Sequence, residues 1–181
     1  MKIVLASPLY PPDIAEPAPY VKELARRLSR DHKVTIVTYG KIPETVAGVE
    51  IICIRKQSPL PLRIISFTFA LLRQVMKADI LFAENGASVE LPVGIVSLLT
   101  GKPMVTHIGD PLAQKYAHKH GTHRVLERFA QLRAKEVSSK NPLPRPEILP
   151  FKPHPTHELS NYEQSWKNHM QHIEKLLSHG I

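Results

Sequence analysis

The run Ile3-Val4-Leu5-Ala6, closed by Ser7 and the turn Pro8-Leu9-Tyr10-Pro11-Pro12-Asp13, constrains the fold more than any other stretch. A strand with one wet face alternates apolar and polar residues. This run does not alternate, so it predicts a strand buried on both faces, at the centre of a parallel sheet covered by helices on both sides. In open sheets of that kind ligands lie beyond the carboxyl ends of the strands, so the loop from Ser7 to Asp13 is where chemistry is expected. From Tyr20 to Arg30 the residues Val21, Leu24, Ala25 and Leu28 fall at helical spacing with Lys22, Glu23, Arg26 and Arg27 between them. Strand, long loop and amphipathic helix make the first half of a βαβ unit.

The rest of the chain repeats that rhythm. Strands are expected over Lys33–Thr38, Val49–Ile54, Asp79–Ala83 and Pro103–Ile108, where β-branched and apolar residues run together. Between them a helix is expected over Ser58–Lys77, with Leu62, Ile65, Phe69, Leu72, Val75 and Met76 on or near its core face. Another is expected over Val89–Thr100, ended by Gly101 as a left-handed cap. Asp110 before Pro111 reads as a helix start, and helical texture continues to about Val137. Strands alternating with helices in this way indicate an α/β fold, a Rossmann-like doubly wound parallel sheet with flanking helices. Residues 1–140 form that domain, and 141–159, with Pro142, Pro144, Pro146, Pro150, Pro153 and Pro155, form a connector that can be neither helix nor central strand. Residues 160–181 then read as a carboxyl-terminal helix, opened by a capping box at Ser160 and Glu163 and carrying the stripe Tyr162, Trp166, Met170, Ile173, Leu176 and Leu177. Such a stripe is expected to dock back on the sheet.

Composition narrows the class. Lys and Arg number 24 against 16 Asp and Glu, a formal +8, which favours anionic partners such as nucleotide sugars or phospholipid headgroups. No nucleic-acid-binding motif accompanies the basic residues from Lys115 to Lys140, so nucleic acid is not expected. The single Cys53 excludes a disulfide framework, reads as a buried inert thiol, and fits a cytoplasmic setting, as does a sequence starting directly on a core strand. The apolar part of Ser58–Lys77 is shorter than a membrane span, which leaves core packing or peripheral contact with the inner face of a membrane.

The order of these features resembles the amino-terminal, acceptor-side domain of two-domain glycosyltransferases of the so-called GT-B fold, particularly the large family 4 of retaining enzymes. The resemblance rests on residues 1–13, Tyr20-Val21, Glu23-Leu24-Ala25, His32–Thr38, Ala78–Ala83, Gly101-Lys102-Pro103 and Gly109-Asp110, and covers roughly residues 1–137. The terminal helix looks like the one that, in such enzymes, crosses back from the donor domain, often with a Trp near its start. The resemblance thus implies a nucleotide-sugar-dependent transferase lacking its donor domain, which a separate protein or self-association would have to supply. It implies a saccharide or lipid-linked acceptor and requires no cofactor.

Two departures stand out. The family's Gly-Gly pair in the first loop is replaced here by Ala15 and Glu16, between Ile14 and Pro17, and a carboxylate there would repel a diphosphate. The family's donor domain also carries two Glu residues with seven between them, a spacing absent here. The isolated chain is therefore expected to show no appreciable transfer.

The resemblance makes His107 the leading catalytic candidate, since family members often place a His there against donor or acceptor; the bland alternative is a strand-end His bonded to backbone. Asp110 fits a helix cap or a catalytic base. Ser7, Tyr10, Asp13, Glu16, Glu84, Asn85, Ser88 and Gly109 complete the expected substrate-binding half-site, with Glu84, Asn85 and Ser88 read as loop residues that bond acceptor hydroxyls or merely fill the loop. His118, His120 and His123 lack the helical pairing and the Cys partners of a zinc site, so no metal is expected; His154, His157, His169 and His172 read as surface residues.

Overall fold

A computed structural model of the chain describes residues 1–15, 17–107, 121–131, 136–137 and 156–179. It contains strands β1 (Lys2–Ser7), β2 (Lys33–Gly40), β3 (Val49–Arg55), β4 (Ile80–Glu84), β5 (Met104–His107) and β6 (Glu136–Val137), with helices α1 (Ala18–Leu28), α2 (Leu60–Val75), α3 (Ala87–Thr100), α4 (Gly121–Gln131) and α5 (Thr156–His179). The strands pair in the order β3-β2-β1-β4-β5-β6, and every pairing is parallel. This is the doubly wound Rossmann order.

The unbroken apolar run of β1 has the predicted cause. Leu5 lies beside Ile36 of β2 and Phe82 of β4, and residues 3–7 are all buried. Successive side chains point to opposite faces. Ile3 and Leu5 enter a core with Tyr20, Leu24 and Leu28 of α1 and Trp166, Ile173 and Leu177 of α5. Val4 and Ala6 enter a second core with Phe67, Leu71 and Val75 of α2 and Val89, Val93 and Val96 of α3. The terminal helix docks as expected, and Trp166 is wholly buried. Gly101 ends α3 at φ 65°, ψ 6°, its amide donating to the Ser97 carbonyl at 3.0 Å.

Three elements differ from expectation. Helical texture is expected to about Val137, but Glu136–Val137 is the edge strand β6, paired in parallel with β5. In α2 the buried face is Phe67, Leu71 and Val75, whereas Leu62, Ile65, Phe69 and Met76 point outward. The helix is apolar nearly all round, so spacing alone offered two stripes, and Phe67, Leu71 and Val75 are the ones that pack with Val4, Ala6 and Val37 of the sheet. The helix α5 starts at Thr156, which puts Ser160 inside it. Glu163 therefore has no capping duty; its carboxylate accepts from Arg27 Nη1 at 3.0 Å and Nη2 at 2.8 Å, tying α5 to α1. Cys53 is half-buried, and burial, the largest influence, pushes its thiol up, which agrees with an inert role. The connector 141–155 and the helix start at Asp110 lie outside the described residues.

Candidate functional site

At the carboxyl edge of the sheet the chain leaves β1 through Ser7 to Asp13, β4 through Glu84 to Ser88, and β5 through His107. The helix after β1 covers one face and the helix after β4 covers the other. Strands β1 and β4 are neighbours, so their connections part and leave the crevice at which ligands of such folds bind.

His107 and Glu84 are direct partners in the β4–β5 register. The His107 Nδ1–H donates to Glu84 Oε1 at 2.8 Å, and the Asn85 amide donates to the His107 carbonyl at 3.0 Å. Glu84 is thus the last residue of β4 rather than a loop residue, and its side chain serves His107. Both groups are almost fully enclosed, at 3% and 2% exposure, which a carboxylate tolerates only when paired. With the proton held on Nδ1, Nε2 is left as the basic nitrogen.

Above the pair lies an aromatic roof. The Tyr20 ring stacks on His107 at 5.1 Å between centroids and 21° between planes, and Phe82 stacks from another side at 6.0 Å. Trp166 stacks on Tyr20 at 5.8 Å, and the Tyr20 hydroxyl lies 2.8 Å from His169 Nε2. His169, read from the sequence as a surface residue, is therefore buried in the site. Its position three residues from Trp166 on the apolar stripe was the signal that could have placed it there.

Of the remaining predicted residues, Tyr10 and Asp13 line a separate opening. A concavity of about 370 Å³ at the carboxyl ends of β1, β2 and β3 is lined by Tyr10, Pro12, Asp13, Tyr39, Lys41 and Lys56. Asp13 and Lys56 form an ion pair at 2.5 Å on its rim. In its wall the Tyr10 hydroxyl is buried with no hydrogen-bond partner among the described residues, and burial first, then the charge of Glu44, pushes that phenol up to about 12. Tyr39 donates from its hydroxyl to the Ser88 carbonyl at 2.9 Å, so Ser88 braces the wall through its backbone. Burial also pushes the Tyr39 phenol up to about 12, against the pull of Arg63. Ser7 acts locally, its hydroxyl donating to the Leu9 carbonyl at 2.6 Å to hold the turn. Glu16, Gly109 and Asp110 lie outside the described residues, as do His118, His120, His154 and the side chains of His123 and His157.

A larger groove of about 1050 Å³ runs between α1 and α5, lined by Arg27, Arg30, Glu163, Lys167 and Glu174. It follows the helix that leads back to the amino end of β2, away from the crevice, and its walls include the Arg27–Glu163 and His32–Glu174 pairs. Among the described residues no cluster of His, Cys, Asp and Glu is placed to hold a metal ion.

No protein-family model and no curated protein sequence matches the chain. Among solved structures, the Anabaena protein Alr3699/HepE in complex with UDP and glucose is similar to it at a TM-score of 0.55 and 19% identity, over 76% of this chain and 37% of that one. A putative UDP-N-acetylglucosamine 2-epimerase from Listeria monocytogenes follows at 0.52 and 14%, over 75% and 38%. The UDP-GlcNAc 2-epimerase of Methanocaldococcus jannaschii is similar at 0.50 and 11%, over 76% and 38%. At these identities the likeness is one of fold, and the chain spans less than half the length of each of these structures.

Proposed function

We propose that the chain is the acceptor-side half of a nucleotide-sugar-dependent glycosyltransferase, which transfers sugar only when a donor-binding domain is supplied in trans. The observation that carries this reading is the opening at the carboxyl ends of β1, β2 and β3. Proline walls backed by the buried Tyr10 and Tyr39, with a charged rim of Asp13, Lys41 and Lys56, suit a sugar, whose hydroxyls bond at the edge. The similarity in fold to a protein in complex with UDP and glucose and to a putative UDP-N-acetylglucosamine 2-epimerase supports the same substrate class. In this reading the Glu84–His107 pair, at the crevice, is the basic group closest to where an acceptor hydroxyl would be deprotonated. The donor diphosphate, which needs oriented amides and cations, is held by the other domain.

A second reading has its own support. Tyr20, Trp166 and His169 enclose His107, so its imidazole is not exposed. A binding module that has kept the fold without catalysis would look the same.

Ligand-observed NMR with mono- and disaccharides separates the two from a third possibility. Saccharide binding that Asp13→Ala and Tyr39→Ala abolish supports a sugar site at the opening. Binding unaffected by both variants, or none at millimolar sugar (about 4 kcal/mol of affinity), removes that site. Transfer to a bound saccharide on adding a donor-domain protein, lost in His107→Gln, then selects the transferase over the binding module.

A further inference from the structure

The two edges of the sheet are unlike. At one, β6 spans two residues; at the other, β3 runs for seven and pairs only with β2. Natural sheets blunt an open edge with proline, a bulge or a short strand. Strand β3 has no proline, its register with β2 runs without a bulge, and its central residues Ile51-Ile52-Cys53-Ile54 are apolar and only half-buried. Among the described residues, no backbone group of residues 50–55 bonds to a loop or a helix. The groups of β3 that point away from β2 are therefore open to a further strand.

The side chains say which strand. A two-fold axis normal to the sheet offers β3 of a second copy, running the opposite way, and residues that then meet lie on the same face of the sheet. Val49 and Ile51 belong to one face, Ile52 and Ile54 to the other, and alternation places Glu50 and Lys56 on the second. A register centred on Cys53 sets Ile52 opposite Ile54 and Glu50 opposite Lys56, each contact made twice. Centred on Ile51, Ile52 or Ile54, the pairing brings no opposite charges together. Glu50 is exposed, and among the described residues its carboxylate has no ion-pair partner, accepting only from Thr35 Oγ1 at 3.4 Å. Lys56 holds Asp13 at 2.5 Å, and an ammonium has three donors, so it can serve a second carboxylate. Helix α2 packs over β2 and β3. Its Arg63 donates to the Lys56 carbonyl at 3.2 Å and its Gln74 lines a concavity with Glu50, so the flank beside the edge is Arg63, Ser66, Ala70 and Gln74. The small residues at its middle present little bulk to α2 of a second copy.

We propose that the chain forms a two-fold dimer in which the β3 strands pair antiparallel and join two sheets into one, with Glu50 of each copy on Lys56 of the other. Lys56 stands on the rim of the opening at the ends of β1, β2 and β3, so the second copy adds a carboxylate to that rim. The pairing does not depend on what the opening binds.

Sedimentation equilibrium of the full chain at micromolar concentrations tests it, and a dimer is expected. Glu50→Lys and Lys56→Glu each set like charges face to face twice, and each should weaken the dimer at least about tenfold. An equimolar mixture of the two variants restores opposite charges at both contacts and should associate as the parent does. Both positions are exposed, so unchanged unfolding midpoints show that the variants fold. In the parent a short bis-maleimide should join Cys53 of one copy to Cys53 of the other, and Glu50→Lys should prevent it. A monomer throughout, a dimer that both variants leave intact or the reagent does not join, or a mixture that stays monomeric overturns the proposal.

Discussion

Trp166 meets the Tyr20 ring on one side and the Arg27 guanidinium at 4.9 Å on another, all in a fully enclosed position. Trp166→Ala is therefore expected to cost about 3–5 kcal/mol in urea unfolding, and an unchanged midpoint would refute the docking described. The indole N–H has no acceptor among the described residues. Trp166→Phe keeps an aromatic ring and sheds that buried donor, so it should lose much less than the alanine variant. At the site, Glu84→Gln replaces a charge-assisted bond to His107 with a neutral one and is expected to cost about 1–3 kcal/mol. Stability equal to that of the parent would mean that the pair contributes nothing to the fold. These residues also show why the site was only partly legible in the sequence. His107 stood at a strand end and was found there, but its partner lies on the next strand, and no local pattern announces which polar residue a parallel register will set beside it. His169 was missed because a histidine on a polar helix reads as solvated until the neighbour it meets is known.

Helices are tied to the sheet by contacts of different kinds, and the sequence reveals these unequally. The α3 cap at Gly101 was legible because a left-handed residue before Pro103 leaves few other choices. The orientation of α2 was not, because a helix apolar on two sides has no preferred face until the sheet is present. At Gly94 an added Cβ would stand 2.6 Å from the Phe129 ring and 3.3 Å from Ala130 Cα, so α3 and α4 meet here at a distance only glycine permits. Gly94→Ala is expected to destabilise by about 1–3 kcal/mol, against at most about 1 kcal/mol gained in helix propensity. In a Phe129→Ala background the same change should become neutral or favourable; persistence of the full cost there would show that the ring is not the obstacle. Between α1 and α5 an ionic clamp adds to the apolar contact. Hydrogen bonds from Arg27 hold the Glu163 carboxyl below its ordinary range, and Arg26 and Arg27 outweigh burial to do the same for Glu23. Both groups have folded values below the unfolded ones, so their stabilisation is full above about pH 4.5 and fades as the pH falls through the lowered values. Glu163 is largely exposed and its share is small. Circular dichroism melts should show a smaller loss of midpoint between about pH 5 and about pH 3 in Glu163→Gln than in the parent, and identical losses would remove Glu163 from the clamp.

Among the described residues the molecule is one Rossmann-like parallel sheet, and its alternation of apolar runs and helices is why the fold class could be read from the sequence while the strand order and the pocket could not. A pocket forms where several segments meet, and Tyr10 and Asp13 after β1, Tyr39 at the end of β2 and Lys56 after β3 come together in a way no periodicity encodes. The donor-side expectation belongs at this scale. Calorimetric titration with uridine- and guanosine-diphosphate sugars should give no binding tighter than roughly millimolar, about 4 kcal/mol, because most donor contacts would have to come from elsewhere. Micromolar binding by the chain alone would overturn the proposed division of labour. The depth at which α5 is set has a further consequence, during synthesis. Tyr20 must wait for His169, 149 residues later, and at ribosomal rates of about 5–20 residues per second that is roughly 7–30 s. Until then Tyr20 of α1 and, as they are made, Ile36 of β2 and Phe82 of β4 lack the cover that Trp166 gives this core in the finished fold.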